Sequence, residues 1–162
     1  MKTVFDQATK KDIDELIRLR IAFVLDDYGT LSAHEQECME KHLADYFERK
    51  LGSELVAFVA RVDGKIVSVA YLLLVEMPAN RVLLNGRYGE VLNVFTEKEY
   101  RRKGLCTKLL QQLLEYGKSK ELGRIDLSAT KEGYPIYKSV GFEEKEHRYT
   151  DLRYVYPLTP LS

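Results

Sequence analysis

The dipeptide Asp63-Gly64 constrains this chain more than any other feature, because it stands between two apolar, β-branched runs, residues 55–62 and 65–75. A two-residue hairpin loop takes positive φ, and Asp followed by Gly adopts it at little steric cost. The two runs are therefore expected to pair antiparallel, in a register set by the turn. A long apolar hairpin needs cover on its faces, and the preceding residues read as helices able to give it. Thr9-Lys10-Lys11-Asp12 resembles a capping box ahead of a stripe of Ile13, Leu16, Ile17, Ile21 and Val24, which stops around Asp27-Tyr28-Gly29. Ser32-Ala33-His34-Glu35 is a second such box, followed by Met39, Leu43, Tyr46 and Phe47 at helical spacing up to about Leu51-Gly52.

The remaining elements follow the same logic. A short strand is expected at 3–6, a loop from Met77 to Gly86, and another strand at 88–95. A long helix begins near Lys103 and carries Leu105, Leu109, Leu110, Leu113 and Leu114 to Tyr116, with Gly123 beyond its end. Residues 124–129 read as a strand and 132–140 as a short helix with Pro135 in its opening turn, ended by Gly141. Two last strands are expected at 142–147 and 148–156; the aromatic alternation of the latter fits either a final internal strand or a pairing edge for a homodimer. With 162 residues, 45% of them hydrophobic, the expectation is one domain over 1–162 around a single core. Its 25 basic and 25 acidic side chains exert no overall pull toward nucleic acid or an anionic membrane. The opening residues lack a signal-peptide pattern and no run approaches the ~20 apolar residues of a membrane span, so a soluble cytoplasmic protein is expected. Two cysteines, Cys38 and Cys106, make neither a disulfide framework nor a metal-ligand pattern, and no metal is expected.

Chemistry concentrates where the strand Glu90-Val91-Leu92-Asn93-Val94-Phe95 is followed by Arg101-Arg102-Lys103-Gly104-Leu105-Cys106-Thr107 at the mouth of a helix. Unpaired N–H groups and the positive dipole end at a helix N-terminus attract an anion, and a glycine lets the backbone approach it closely. Arg101, Arg102 and Lys103 add positive charge to a chain otherwise balanced. The dipole disfavours three cations at that end unless an anion sits there.

The stretch Arg101-x-x-Gly104-x-Cys106 resembles the Arg/Gln-x-x-Gly-x-Gly/Ala motif of the GNAT acetyltransferases, and Tyr134-Pro135-Ile136-Tyr137-Lys138-Ser139-Val140-Gly141-Phe142 resembles that family's late helix, which ends in Tyr-x-x-x-Gly-Phe. The resemblance covers nearly the whole chain and is specific from Tyr88 to Phe142. It implies an α/β fold with one central, mixed, mostly antiparallel twisted sheet of about six to seven strands and about four helices. It also implies acetyl-CoA as co-substrate, its pyrophosphate on the loop from Arg101 to Thr107, and its pantetheine arm along a splayed strand at Leu92, Asn93 and Val94. The Val94 N–H is then the expected oxyanion donor, and Tyr137 the expected proton donor to sulfur, with Tyr134 one turn earlier. Cys106 stands where the family has glycine or alanine and is small enough for the loop. Thr130 replaces an asparagine often found before the late helix; its hydroxyl remains able to cap that helix.

An acceptor amine must lose a proton before attack. Glu90 is the expected base, acting through water, with Glu90, Leu92 and Val94 on one face by alternation; an ordinary solvated glutamate is the competing reading. Asp126 and His147 are further candidates of lower rank. On the acceptor side, Asp26, Asp27 and Tyr28 would suit a small cationic amine, whereas Arg81 and Arg87 would suit a carboxylate. The functional expectation is an N-acetyltransferase acting on a small amine by direct attack in a ternary complex. The alternative is a non-catalytic acyl-CoA-binding module or sensor, and the short basic cluster disfavours a nucleic-acid-binding domain.

Overall fold

The computed structural model describes residues 2–158. Five strands run β1 (Thr3–Gln7), β2 (Leu55–Val62), β3 (Lys65–Glu76), β4 (Arg87–Thr96) and β5 (Ile125–Asp126), and four α-helices are α1 (Ile13–Tyr28), α2 (Ala33–Lys50), α3 (Leu105–Ser119) and α4 (Tyr134–Ser139). They form one sheet in the order β1-β2-β3-β4-β5, antiparallel except for the parallel pair β4 and β5. The β2–β3 hairpin closes with Val62 opposite Lys65, and both turn residues have positive φ, 49° at Asp63 and 86° at Gly64. That geometry matches the right-handed twist of the flanking strands.

Alternation divides the hairpin between two cores. Leu55, Ala57, Val59, Val69 and Tyr71 face α1 and α2, meeting Leu16, Leu19, Leu43 and Phe47. Val56, Phe58, Ala60, Ala70 and Leu72 face α3, meeting Leu105, Leu109, Leu110 and Leu113. Those α3 leucines recur at helical spacing and are all buried, and each contributes roughly 1.5–3 kcal/mol by leaving water. Ser32 accepts from the Glu35 N–H at 3.1 Å while the Glu35 carboxylate accepts from the Ser32 N–H at 2.8 Å, the reciprocal cap expected at the start of α2. At Thr9 the cap opens a single 3-10 turn, Lys10–Asp12, which leads into α1. Arg61 on β2 grips the Asp12 carboxylate with two bonds of 2.9 Å and also reaches Asp6, tying that turn to the sheet.

Two expectations are corrected. The sheet has five strands among the described residues, and residues 142–158 form none, so the strands expected at 142–147 and 148–156 are absent. Tyr149, Leu152, Tyr154, Val155 and Tyr156 are all strongly exposed. Alternation assigns faces but supplies no ladder, and the neighbouring strand β5 is only two residues long. The second correction lies in β4. Tyr71 pairs with Leu92 but Val69 with Phe95, so Asn93 and Val94 together oppose one residue of β3. This bulge, with Asn93 at φ 51°, breaks the alternation that was expected to place Glu90, Leu92 and Val94 on one face. Glu90 and Leu92 share the α1–α2 side with their partners Leu73 and Tyr71, whereas Val94 packs into the α3 core.

Candidate active site

The site is a gap in the sheet followed by a helix start. β4 and β5 pair only at Gly89–Ile125 and Glu90–Asp126. Past Glu90 the β4 edge has no neighbouring strand among the described residues, and the bulge at Asn93 and Val94 lies on this open stretch. A bulge removes residues from the ladder and re-aims the backbone, leaving its polar groups to a ligand. Gly89 makes the preceding contact possible: a Cβ there would come within 2.7 Å of Leu72 and 3.2 Å of Leu122.

After Thr96 the chain makes a 3-10 turn at Lys98–Tyr100 and reaches the basic loop. Arg102 and Gly104 both have positive φ, 61° and 76°, curling the backbone ahead of α3. Gly104 is the N-cap, no side chain caps α3, and its first turn carries no acidic residue. Nothing lies within 4 Å of where a Gly104 Cβ would be, so the loop is open on that side. An uncapped helix start with basic side chains beside it is able to hold an anion. The three cations differ in use. The Arg101 guanidinium donates to the Thr96 carbonyl at 2.8 Å and to Asp26 at 3.1 Å and lies over the Phe95 ring, so it braces the loop from behind. Arg102 and Lys103 are exposed, the latter 5.4 Å from the Tyr100 ring centroid.

The late helix supplies the opposite wall. Thr130 Oγ1 accepts from the Gly133 N–H at 3.1 Å, closing the turn that leads into α4, while the N-cap of the helix itself is Gly133, without a side-chain cap. Tyr137 is half-buried in the α3 core, edge-on to Phe142, and its hydroxyl has no protein partner among the described residues. Burial, then the neighbouring Cys106, pushes Tyr137 up to about 12. Burial alone pushes the Cys106 thiol up to about 11. Tyr134 is more exposed and donates its hydroxyl hydrogen to Glu144 at 2.8 Å, which raises its pKa.

The other expected residues fall as follows. Glu90 is half-buried beside the gap, and its carboxylate bonds to no described residue. Asp126 is engaged by Arg124 and Lys145, and His147 is exposed. Asp26 serves Arg101, while Asp27 and Tyr28 are exposed at the end of α1, with Tyr28 retaining 76% of its accessible surface. The three do not form an enclosed acceptor pocket. Arg81 is exposed and Arg87 half-buried, outside the gap. Arg20 was not anticipated: it sits on α1 and donates to Asn93 Oδ1 at 2.9 Å. Its signal was positional, four residues after the buried Leu16 and three before Phe23, which puts a cation on the apolar side of the helix. Among the described residues no helix is long and apolar enough to cross a membrane, and no cluster of His, Cys, Asp and Glu is placed to hold a metal.

The sequence matches the model of the acetyltransferase (GNAT) family over residues 18–142, and the chain belongs to that family. A predicted acetyltransferase from Clostridium acetobutylicum, solved with acetyl-CoA, is 28% identical with a TM-score of 0.82, the match covering 94% of this chain and 96% of that one. A GCN5-related N-acetyltransferase from Ralstonia eutropha (17% identity, TM-score 0.76, 93% and 99% covered) shares the fold. So does glucosamine-6-phosphate N-acetyltransferase from Arabidopsis thaliana (17%, 0.67, 94% and 99%). No curated protein matches the sequence.

Proposed function

We propose that this chain transfers the acetyl group of acetyl-CoA to the amine of a small acceptor by direct attack, with both substrates bound together. The observation that carries this reading is the open β4 edge at Asn93 and Val94 leading directly into the uncapped, basic start of α3. Acetyl-CoA supplies the activated thioester. Its pyrophosphate is assigned to the Gly104 loop, where α3 starts without a side-chain cap and Arg102 and Lys103 are exposed, leaving the first N–H groups of the helix, at Leu105, Cys106 and Thr107, to the anion. The pantetheine arm is held by backbone groups of Leu92, Asn93 and Val94, with Thr130 and Tyr134 on the far wall. The Val94 N–H donates to the carbonyl oxygen as charge develops on it; such a donor is worth about 3–4 kcal/mol in related chemistry. Arg101 positions the loop through Thr96 and Asp26.

Tyr137 keeps its proton throughout the neutral range, because burial has moved it to about 12. Against a thiol of about 8.5 in water, donation would be uphill by about 5 kcal/mol. The pocket changes that comparison, since the neighbouring Cys106 thiol is itself at about 11 there. A thiolate desolvated in the same place is a stronger base, which narrows the gap. Glu90, on the α1–α2 side of β4, takes the amine proton through water.

The test is calorimetric titration of acetyl-CoA into wild-type protein, Gly104→Asp and Gly104→Asn, with release of free thiol followed during incubation with amines. Asn and Asp both tolerate a left-handed φ, so the pair isolates charge from backbone strain. Micromolar binding in wild type, kept within about tenfold in the Asn variant and lost in the Asp variant, supports the loop assignment. Folded wild-type protein that binds no acetyl-CoA ends this reading.

A further inference from the structure

Behind the bulge, Arg20, Asn93 and Tyr71 are neighbours, and two of their hydrogen-bond donors have no partner among the described residues. Arg20 spends one N–H on Asn93 Oδ1 and forms no ion pair with any described carboxylate. Because a guanidinium only donates, the Asn93 oxygen must face it and the NH2 group must turn the other way. That nitrogen, Asn93 Nδ2, is buried without a partner, and so is the Tyr71 hydroxyl. Asn93 and Tyr71 retain only 7% and 4% of their accessible surface, so both sit where a missing partner is costly. The Arg20 charge is felt at Tyr71, where it opposes the effect of burial on the phenol. Tyr71 lies opposite Leu92, an exposed residue on the α1–α2 side of β4, and Glu90 lies two residues further along that side.

We infer that Arg20, the Asn93 amide and the Tyr71 hydroxyl bind the carboxylate of the acceptor, so that the substrate is a free amino acid or a close analogue bearing amine and carboxylate together. This rests on the acetyltransferase reading above and names its substrate class. A carboxylate is acceptor-only when ionised and takes several donors at once, which is what this group lacks. The two ends of the substrate then meet opposite charges: its carboxylate at Arg20, its ammonium at Glu90. Asn93 is the hinge of this arrangement, since its side chain faces Arg20 while its backbone begins the bulge at Val94. The cationic-amine reading of Asp26, Asp27 and Tyr28 names a different face, where Asp26 is bonded to Arg101.

The experiment compares the common amino acids with the amines left when the carboxyl group is removed, and with their methyl esters, each incubated with acetyl-CoA and the intact protein. Thiol release gives turnover, and titration of the same amino acids and their N-acetyl products into CoA-loaded protein gives binding. At least one amino acid is turned over with kcat/KM about a hundredfold above its decarboxylated and esterified counterparts. Arg20→Met raises KM for that amino acid by about a hundredfold with a much smaller change in kcat, and removes most of its advantage over the plain amine. Tyr71→Phe keeps the ring packing, so it guards against misfolding: it weakens carboxylate binding by about tenfold while the unliganded protein melts at the same or a higher temperature, an unpaired buried hydroxyl having been removed. Tyr71→Phe that melts lower and binds amino acids as wild type does would assign the donors to a buried water and overturn the inference. Equal use of amines and amino acids, or acetyl-CoA binding with no amino acid or N-acetyl product bound at 10 mM concentration or so (~100 times a typical KM), overturns it as well while leaving the acetyltransferase reading intact. Failure of wild type to bind acetyl-CoA removes both.

Discussion

Gly133 has no room for a side chain because the Tyr137 ring lies over it: a Cβ there would approach Tyr137 Cε2 to 2.8 Å and Thr130 Oγ1 to 3.3 Å. The ring is thus seated by a residue one turn earlier that touches no substrate, and the reach of the Tyr137 hydroxyl depends on that glycine.

Gly133→Ala is therefore expected to shift the Tyr137 ring and lower kcat toward the value for Tyr137→Phe, a loss on the order of a hundredfold. Acetyl-CoA affinity stays within about threefold in both variants, since neither alters the Gly104 loop. Steady-state kinetics with calorimetry checks this; a Gly133→Ala enzyme with wild-type kcat would show that the ring position does not govern the proton.

The three loop cations are expected to fail differently. Arg102→Ala and Lys103→Ala each weaken acetyl-CoA by about three- to tenfold at low salt, and the deficit shrinks as KCl is raised. Arg101→Ala instead lowers the melting temperature, because its bonds to Thr96 and Asp26 brace the turn. Asp26→Asn reproduces part of that loss. Salt-dependent titrations and thermal melts together separate the roles.

Acid stability has an identifiable contributor. The Arg61 guanidinium bonded to Asp12, against a smaller opposing effect of burial, holds the Asp12 carboxyl below its ordinary value. A depressed carboxylate stabilises the fold above about pH 4, its unfolded value, and that contribution is lost as pH falls through the lower folded value. Asp12→Asn is expected to cost about 1 kcal/mol at pH 7, allowing for solvent screening of a pair that keeps some exposure. Urea titrations should find this difference shrinking below pH 4; a constant difference down to pH 2 would show that the Asp12 charge is not its source.

Cys106 is expected to be a poor nucleophile despite its place beside the cofactor loop. With its thiol at about 11, roughly one molecule in a thousand carries the thiolate at pH 8. Iodoacetamide should modify it on the order of a hundredfold more slowly than a small model thiol, with the rate rising about tenfold per pH unit until near 11. Peptide mass spectrometry reads both, and bound CoA should slow the reaction further.

The sequence was most legible where local chemistry is self-sufficient. Asp63-Gly64 encodes its turn in two residues, Ser32 and Glu35 cap α2 reciprocally, and the α3 leucines announce their buried face. The loop at Gly104 was legible because strand, glycine and helix stand in order along the chain. Three features were not. Residues 142–158 alternate as a strand does, yet alternation cannot name a partner, and the ladder needs one. The bulge at Asn93 defeated the face assignment of Val94, because one extra residue leaves no periodic trace in a strand of ten; the only hint was an asparagine, tolerant of positive φ, within an apolar run. The bonds of Arg101 to Thr96 and Asp26 were not legible either, because charge is visible in sequence and direction is not, and only the folded chain brings Asp26 to it.

The bulge also gives β4 two reading frames. Upstream of it, odd-numbered Val91 belongs to the α3 core and even-numbered Leu92 lies toward α1 and α2; downstream, odd-numbered Phe95 belongs with α1 and α2 and even-numbered Val94 with α3. What inverts at that point is the face each parity serves, while burial does not: Gly89, Val91, Asn93 and Phe95 are buried and the even-numbered residues are less so on both sides. Deleting one residue from the bulge would leave a single frame along β4 and send the residues on one side of it to the opposite core.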